Sequence, residues 1–142
     1  MSTRRWIAAT ATLTAVLVHS ASNAEEIAGT PGQDAGALWQ ASYVVLDPPK
    51  DFKKGDRLVI RVQGPTEYVK VRLLPQNGVA SQSTGVVGGK IKVPAGGKLE
   101  LTLAEARPKV KQISVHAGKE AWGEVINPNG GEVQIQRIDL NP

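Results

Sequence analysis

Between Gly55 and Leu103 the chain is written almost entirely in a period of two. Arg57 to Gln63 sets Leu58, Ile60 and Val62 on one side and Arg57, Val59, Arg61 and Gln63 on the other. Tyr68 to Leu74 separates Val69, Val71 and Leu73 from Tyr68, Lys70 and Arg72. Lys90 to Val93 and Lys98 to Leu103 repeat the device with Ile91 and Val93, then with Leu99, Leu101 and Leu103. A two-residue period is that of a strand with one buried face. Gly, Pro and Asn punctuate the runs, so each is short and turns back on its neighbours. A chain patterned in this way has to bury one face of every strand, and stacked antiparallel sheets achieve that.

The flanks extend the pattern. Ser42 to Leu46 is β-branched and aromatic, and Pro48-Pro49 is expected to end that strand. Gly64 to Glu67 reads as the turn of a hairpin joining Arg57–Gln63 to Tyr68–Leu74. Gly88-Gly89 and Gly96-Gly97 read as turns between strands, and Ala104 to Pro108 has room for one helical turn. Val110 to Ala117 is a further strand, followed by a loop from Gly118 to Gly131. Val133 to Leu140 changes phase, which predicts a bulge near Gln136-Arg137 that lets Val133, Ile135, Ile138 and Leu140 all reach the core. Together these give an all-β fold, an antiparallel β-sandwich of seven to eight strands, jelly-roll-like, with a signal-peptide helix ahead of it.

Arg4 and Arg5, the apolar run Trp6 to Val18, and the small residues Ser22 and Ala24 have the form of a signal peptide cleaved before Glu25. The domain reading is therefore a signal peptide at 1–24, a flexible Gly- and Thr-rich leader at 25–37, and a sandwich at 38–142. Removing the first 24 of 142 residues leaves 118, enough for one modest core. It also removes two of the 17 basic residues; the remaining 15 stand against 13 acidic ones, a charge of +2. That balance, on an exported chain, argues against a nucleic-acid partner. No second apolar run approaches the length of a membrane span. The chain has no cysteine, which removes thiol nucleophiles, disulfides and cysteine-ligated metal.

Candidate chemistry is sparse. His116 is the only histidine after His19. Ser114 shares its strand face, but the repeat of about 7 Å between i and i+2 looks too long for a Ser–His hydrogen bond. Asp47, Asp51 and Asp56 resemble a hard-cation cluster, opposed by Lys50, Lys53 and Lys54, so a polar turn is expected and no metal or cofactor is assigned. Glu120 and Glu124 flank Trp122 on one loop, a poor setting for a carboxylate pair that must straddle a glycosidic bond. In a hairpin, Arg61 would face Lys70 and Arg72 would lie nearby, a basic face that would suit an anionic partner. Trp122 and Tyr68 are the rings best placed for stacking on a sugar, with Asn127 and Asn129 as amide donors.

Gly-Lys-Ile-Lys-Val-Pro (89–94), Leu-Glu-Leu-Thr-Leu (99–103) and Val-Lys-Gln-Ile-Ser-Val-His (110–116) resemble the closing strands of bacterial exported β-sandwich domains of unknown function. In plan the chain is similar to jelly-roll, galactose-binding-like modules. The resemblance implies a binding module and transfers no site residue. The expectation is a periplasmic or secreted, non-catalytic module recognising a glycan or envelope protein. Its ligand residues would be Tyr68, Trp122, His116, Arg61, Lys70, Arg72, Asn127 and Asn129. Two alternatives stand beside it: an envelope assembly protein pairing through a sheet edge, and a hydrolase with a loop-built site.

Overall fold

The computed structural model describes residues 24–36 and 38–142. The expected signal segment therefore lies, apart from Ala24, outside the described residues. Eleven strands follow in order: β1 (Glu25–Glu26), β2 (Thr30–Ala35), β3 (Gln40–Phe52), β4 (Arg57–Gln63), β5 (Tyr68–Pro75), β6 (Val86–Lys92), β7 (Lys98–Thr102), β8 (Arg107–His116), β9 (Glu120–Ala121), β10 (Glu124–Val125) and β11 (Gln134–Leu140). They form a four-stranded sheet in the order β1-β11-β4-β7, a five-stranded sheet in the order β2-β3-β8-β5-β6, and the separate pair β10-β9. All pairings are antiparallel.

One core joins the two large sheets. Leu58, Ile60 and Val62 of β4, Leu99 of β7 and Ile138 of β11 pack with Val44 of β3, Val69, Val71 and Leu73 of β5, and Ile113 and Val115 of β8. These are the in-facing residues of the alternating runs, so the binary pattern predicted the sandwich and its core face. The bulge in β11 is present as well. Ile135 pairs with Val62 and Arg137 with Arg61, leaving Gln136 unmatched and restoring the inward phase of Ile138.

Five local expectations are corrected. β4 and β5 do not form a hairpin: they belong to different sheets, and Gly64–Glu67 carries the chain across the sandwich. Alternation specifies a buried face but not a partner, so it fits either arrangement. β3 runs past Pro48-Pro49 to Phe52, with both prolines in a register gap between the Val45–Gln112 and Lys50–Val110 pairs, where no ladder bond is required of them. Residues 25–37 are not all leader, since β1 pairs with β11 and β2 with β3. Gly88-Gly89 lies inside edge strand β6, and β8 begins at Arg107 where a helical turn had room.

Because β8 and β5 occupy the middle of the larger sheet, their out-facing residues stand in neighbouring rows. Lys70 pairs with His116, Arg72 with Ser114 and Leu74 with Gln112. Across β8, His116 pairs with Ala41 and Ser114 with Tyr43. Such a face is ordinarily left to solvent. Here it is covered.

Candidate ligand-binding site

The cover comes from two places. Trp39 precedes β3, and Trp122 sits at the tip of the β9–β10 hairpin. Ala121 pairs with Glu124, so Trp122 and Gly123 are the two turn residues, with φ of 47° and 81°. Both central residues of this turn adopt positive φ, as in the tight turns favoured by β-hairpins. A tryptophan held there costs about 1–2 kcal/mol of backbone strain. Contacts offset it: the Trp122 ring meets His116 at 4.5 Å and Trp39 at 5.3 Å in edge geometry, and the Arg72 guanidinium lies 4.9 Å from its centroid. Trp39 also meets His116 edge-on at 5.5 Å. Aromatic pairs of this kind contribute about 0.5–1.5 kcal/mol each beyond burial.

Beneath the rings the sheet face is polar and closed. Lys70 is 6% exposed, Arg72 3%, Ser114 1% and His116 3%. Lys70 Nζ reaches Glu124 of β10 at 2.8 Å. That hydrogen bond holds the Glu124 carboxyl below its ordinary range. Arg72 Nη1 donates to the Ala80 carbonyl at 2.7 Å. Burial lowers the Arg72 pKa, and Asp34 partly opposes the shift. Burial, with Arg72 and Lys70 alongside, pushes His116 from 6.5 down to about 3.

Ser114 Oγ and His116 Nε2 lie 2.9 Å apart, which overturns the expectation that two residues on one strand face cannot hydrogen-bond. The backbone repeat is about 7 Å, but the imidazole leans along the strand and closes the gap. The pair is a weak start for nucleophilic chemistry. His116 Nδ1 has no partner to orient it, and a base that protonates only near pH 3 accepts a proton poorly at neutral pH.

Beside this cluster is a recess of about 290 Å³ lined by Asp34, Trp39, Tyr43, Arg72, Ser114 and His116, among others. Tyr43 leans over β2 at Gly32, where an added Cβ would stand 2.4–2.5 Å from its ring and displace it. Asp34, Trp39 and Tyr43 were not among the sequence candidates. The outward parity of Tyr43 beside Val44 and Leu46 was a readable signal; Asp34 lay in a segment taken for leader.

The other candidates divide. Tyr68 is half-buried beside the cluster, with Lys90 Nζ 4.6 Å from its ring centroid. Arg61 is on the opposite sheet, paired with Lys98 and Arg137, so the face imagined from Arg61, Lys70 and Arg72 does not exist. Asn127 is a loop pin. Its Oδ1 accepts from Tyr68 N at 3.0 Å, and its Nδ2 donates to Ala117 O at 2.7 Å and Tyr68 O at 2.9 Å. Asn129 is exposed in the following turn. Asp56 accepts from the Lys53 amide at 2.8 Å, as a polar-turn residue does, whereas Asp51 lies in β3 and accepts from the Lys109 amide of β8 at 2.8 Å. Among the described residues no group of three or more His, Asp or Glu is arranged to hold a metal.

No family model matches the chain, and no curated protein matches it. Among solved structures it is similar to chitosan-binding module 1 of a chitosanase/glucanase from Paenibacillus sp. IK-5, at 15% identity over 82% of this chain and 97% of that one, with a TM-score of 0.38. So distant a likeness assigns neither fold nor ligand.

Proposed function

We propose that the protein is an exported, non-catalytic binding module of jelly-roll-like plan that recognises a glycan on the outer face of its five-stranded sheet. The observation that carries this reading is the recess itself. Trp39 and Tyr43 border it, and Arg72, Ser114, Gln112 and Asp34 place polar groups within it. Sugars are bound by flat apolar rings against C–H faces and by fixed polar groups that sort the hydroxyls. Export to the periplasm or beyond would bring such a site to glycans; the charge and apolar pattern of Met1 to Ala24 supports it.

The test uses the chain's own fluorophores. Of its three tryptophans, Trp6 is in the signal segment, and Trp39 and Trp122 are both at the site. A Trp6→Phe chain therefore reports on this face alone. Titration with a panel of oligosaccharides is expected to give a saturable emission change that Trp39→Ala weakens at least tenfold. A flat response across the panel refutes the reading.

A hydrolase has one observation in its favour, the Ser114–His116 contact. The depressed basicity of His116 and its unoriented Nδ1 weigh against it. Hydrolysis of an ester or glycoside that disappears in Ser114→Ala would reverse that judgement.

A further inference from the structure

Four buried side-chain polar atoms among the described residues have no hydrogen-bond partner, and three of them meet at this site: Arg72 Nε, His116 Nδ1 and Trp122 Nε1. Their side chains touch, with the Arg72 guanidinium and the His116 ring both against Trp122. Buried donors are nearly always satisfied, so three orphans in one cluster are unusual. Arg72 adds a charge to the anomaly. It is 3% exposed, yet no carboxylate lies within 4.0 Å of it among the described residues. Its neighbour Lys70 is matched by Glu124; Arg72 is matched by nothing closer than the through-space pull of Asp34. A buried, unpaired guanidinium is expensive to keep.

We infer that the recess takes a sugar-borne oxyanion, a carboxylate or sulfate on an acidic glycan, with Arg72 as the specificity residue. The inference rests on the glycan reading above and narrows its ligand class. The guanidinium fork matches two oxygens of a carboxylate or a sulfate; Nη1 is engaged by the Ala80 carbonyl, and Nε is without a partner. Ser114 Oγ lies 2.9 Å from His116 Nε2; in the tautomer where the hydroxyl donates to that nitrogen, the ring proton is on Nδ1, which is then a further donor. Trp122 Nε1 is the third. Arg72 and His116 line the recess, and Trp122 packs against both of them. The rings on either side bind the sugar that carries the charge.

The test is a titration of the full-length Trp6→Phe chain, followed by tryptophan emission. The probes are oligomers of galacturonate, of alginate and of hyaluronan, each beside its carboxyl-reduced form, and sodium sulfate alone. At least one acidic oligomer is expected to bind about tenfold or more tightly than its reduced form. Arg72→Lys, which keeps charge but loses the fork, is expected to abolish that preference. Asp34→Asn, at an exposed edge position, is expected to raise acidic-oligomer affinity about two- to fivefold without disturbing the core. Reduced forms binding as tightly as acidic ones, or an acidic preference that survives Arg72→Lys, overturns the inference and leaves the glycan reading intact. Sulfate alone binding as well as the best oligomer overturns the sugar-borne source. No response to any oligomer removes both readings.

Discussion

Acidifying the protein should destabilise it through His116, and the size of the effect can be worked out. The unfolded chain protonates this imidazole near pH 6.5; the folded chain refuses the proton until about pH 3. A histidine whose folded pKa is depressed contributes stability that is fully present above its unfolded pKa and is lost as pH falls toward the folded one. Between pH 7 and pH 5 the loss is about 2 kcal/mol, and by pH 3 it reaches about 4 kcal/mol. Carboxylates protonate mostly below that first window, and Glu124, held down by Lys70, lies further below it. The groups that face His116 are Lys70 and Arg72 from β5 and Ser114 from its own strand, with Trp39 and Trp122 above; Asp34 of β2 lines the same recess. The cations reinforce the effect. The assay is urea unfolding at pH 7 and pH 5 for the wild type and for His116→Asn, which keeps a polar partner for Ser114 but cannot charge. The wild type should lose about 2 kcal/mol between the two conditions and the variant far less. An imidazole that titrates near pH 6.5 in the folded protein by NMR, or equal losses in the two proteins, refutes the reasoning.

Three further outcomes are expected. Asn127→Ala removes the side-chain partner of Tyr68 N and of the Ala117 carbonyl, leaves the Tyr68 carbonyl with Thr66 Oγ1 alone, and should cost about 3 kcal/mol in urea unfolding, whereas exposed Asn129→Ala should stay within about 0.5 kcal/mol. Gly97 has a φ of 73° and an added Cβ would stand 2.0 Å from the Val62 carbonyl oxygen, so Gly97→Ala should destabilise by about 3 kcal/mol or more by the same assay. Trp122→Ala uncovers His116, and its imidazole should then titrate closer to 6.5, read by NMR as an upward move of several tenths of a pH unit or more.

The alternating runs carried most of the fold. Leu58, Ile60 and Val62, and likewise Val69, Val71 and Leu73, go where a period of two sends them, and the phase slip before Ile138 marked a real bulge. Partner choice was invisible, because a strand's alternation is the same beside any neighbour. That single gap explains the misplaced Arg61. Once β4 and β5 part company, Lys70 and Arg72 pair across β8 and not across a turn. The site was half legible for the same reason. Lys70, Arg72, His116 and Trp122 were picked out by residue type, yet their meeting depends on β8 lying beside β5 and on a hairpin folding back over both. Neither is written in local sequence. The orphaned donors are still less so, since a missing partner is a property of three dimensions.

That absence is also the strongest argument about what the site is for. A hairpin that only capped the sheet would gain most by burying apolar side chains there, as the opposite face of β5 does with Val69, Val71 and Leu73. Instead it closes over a lysine, an arginine, a serine and a histidine, matches one of the two cations, and leaves three buried polar nitrogens without a partner among the described residues. Lys70 shows that the fold can supply a carboxylate where it needs one: Glu124 comes from the very hairpin that covers Arg72. Leaving Arg72 without its own counter-ion is therefore a feature of the arrangement, not a shortage of acidic residues. Local departures of this kind, unfavourable for folding and confined to one place, are where proteins keep their contacts for something else.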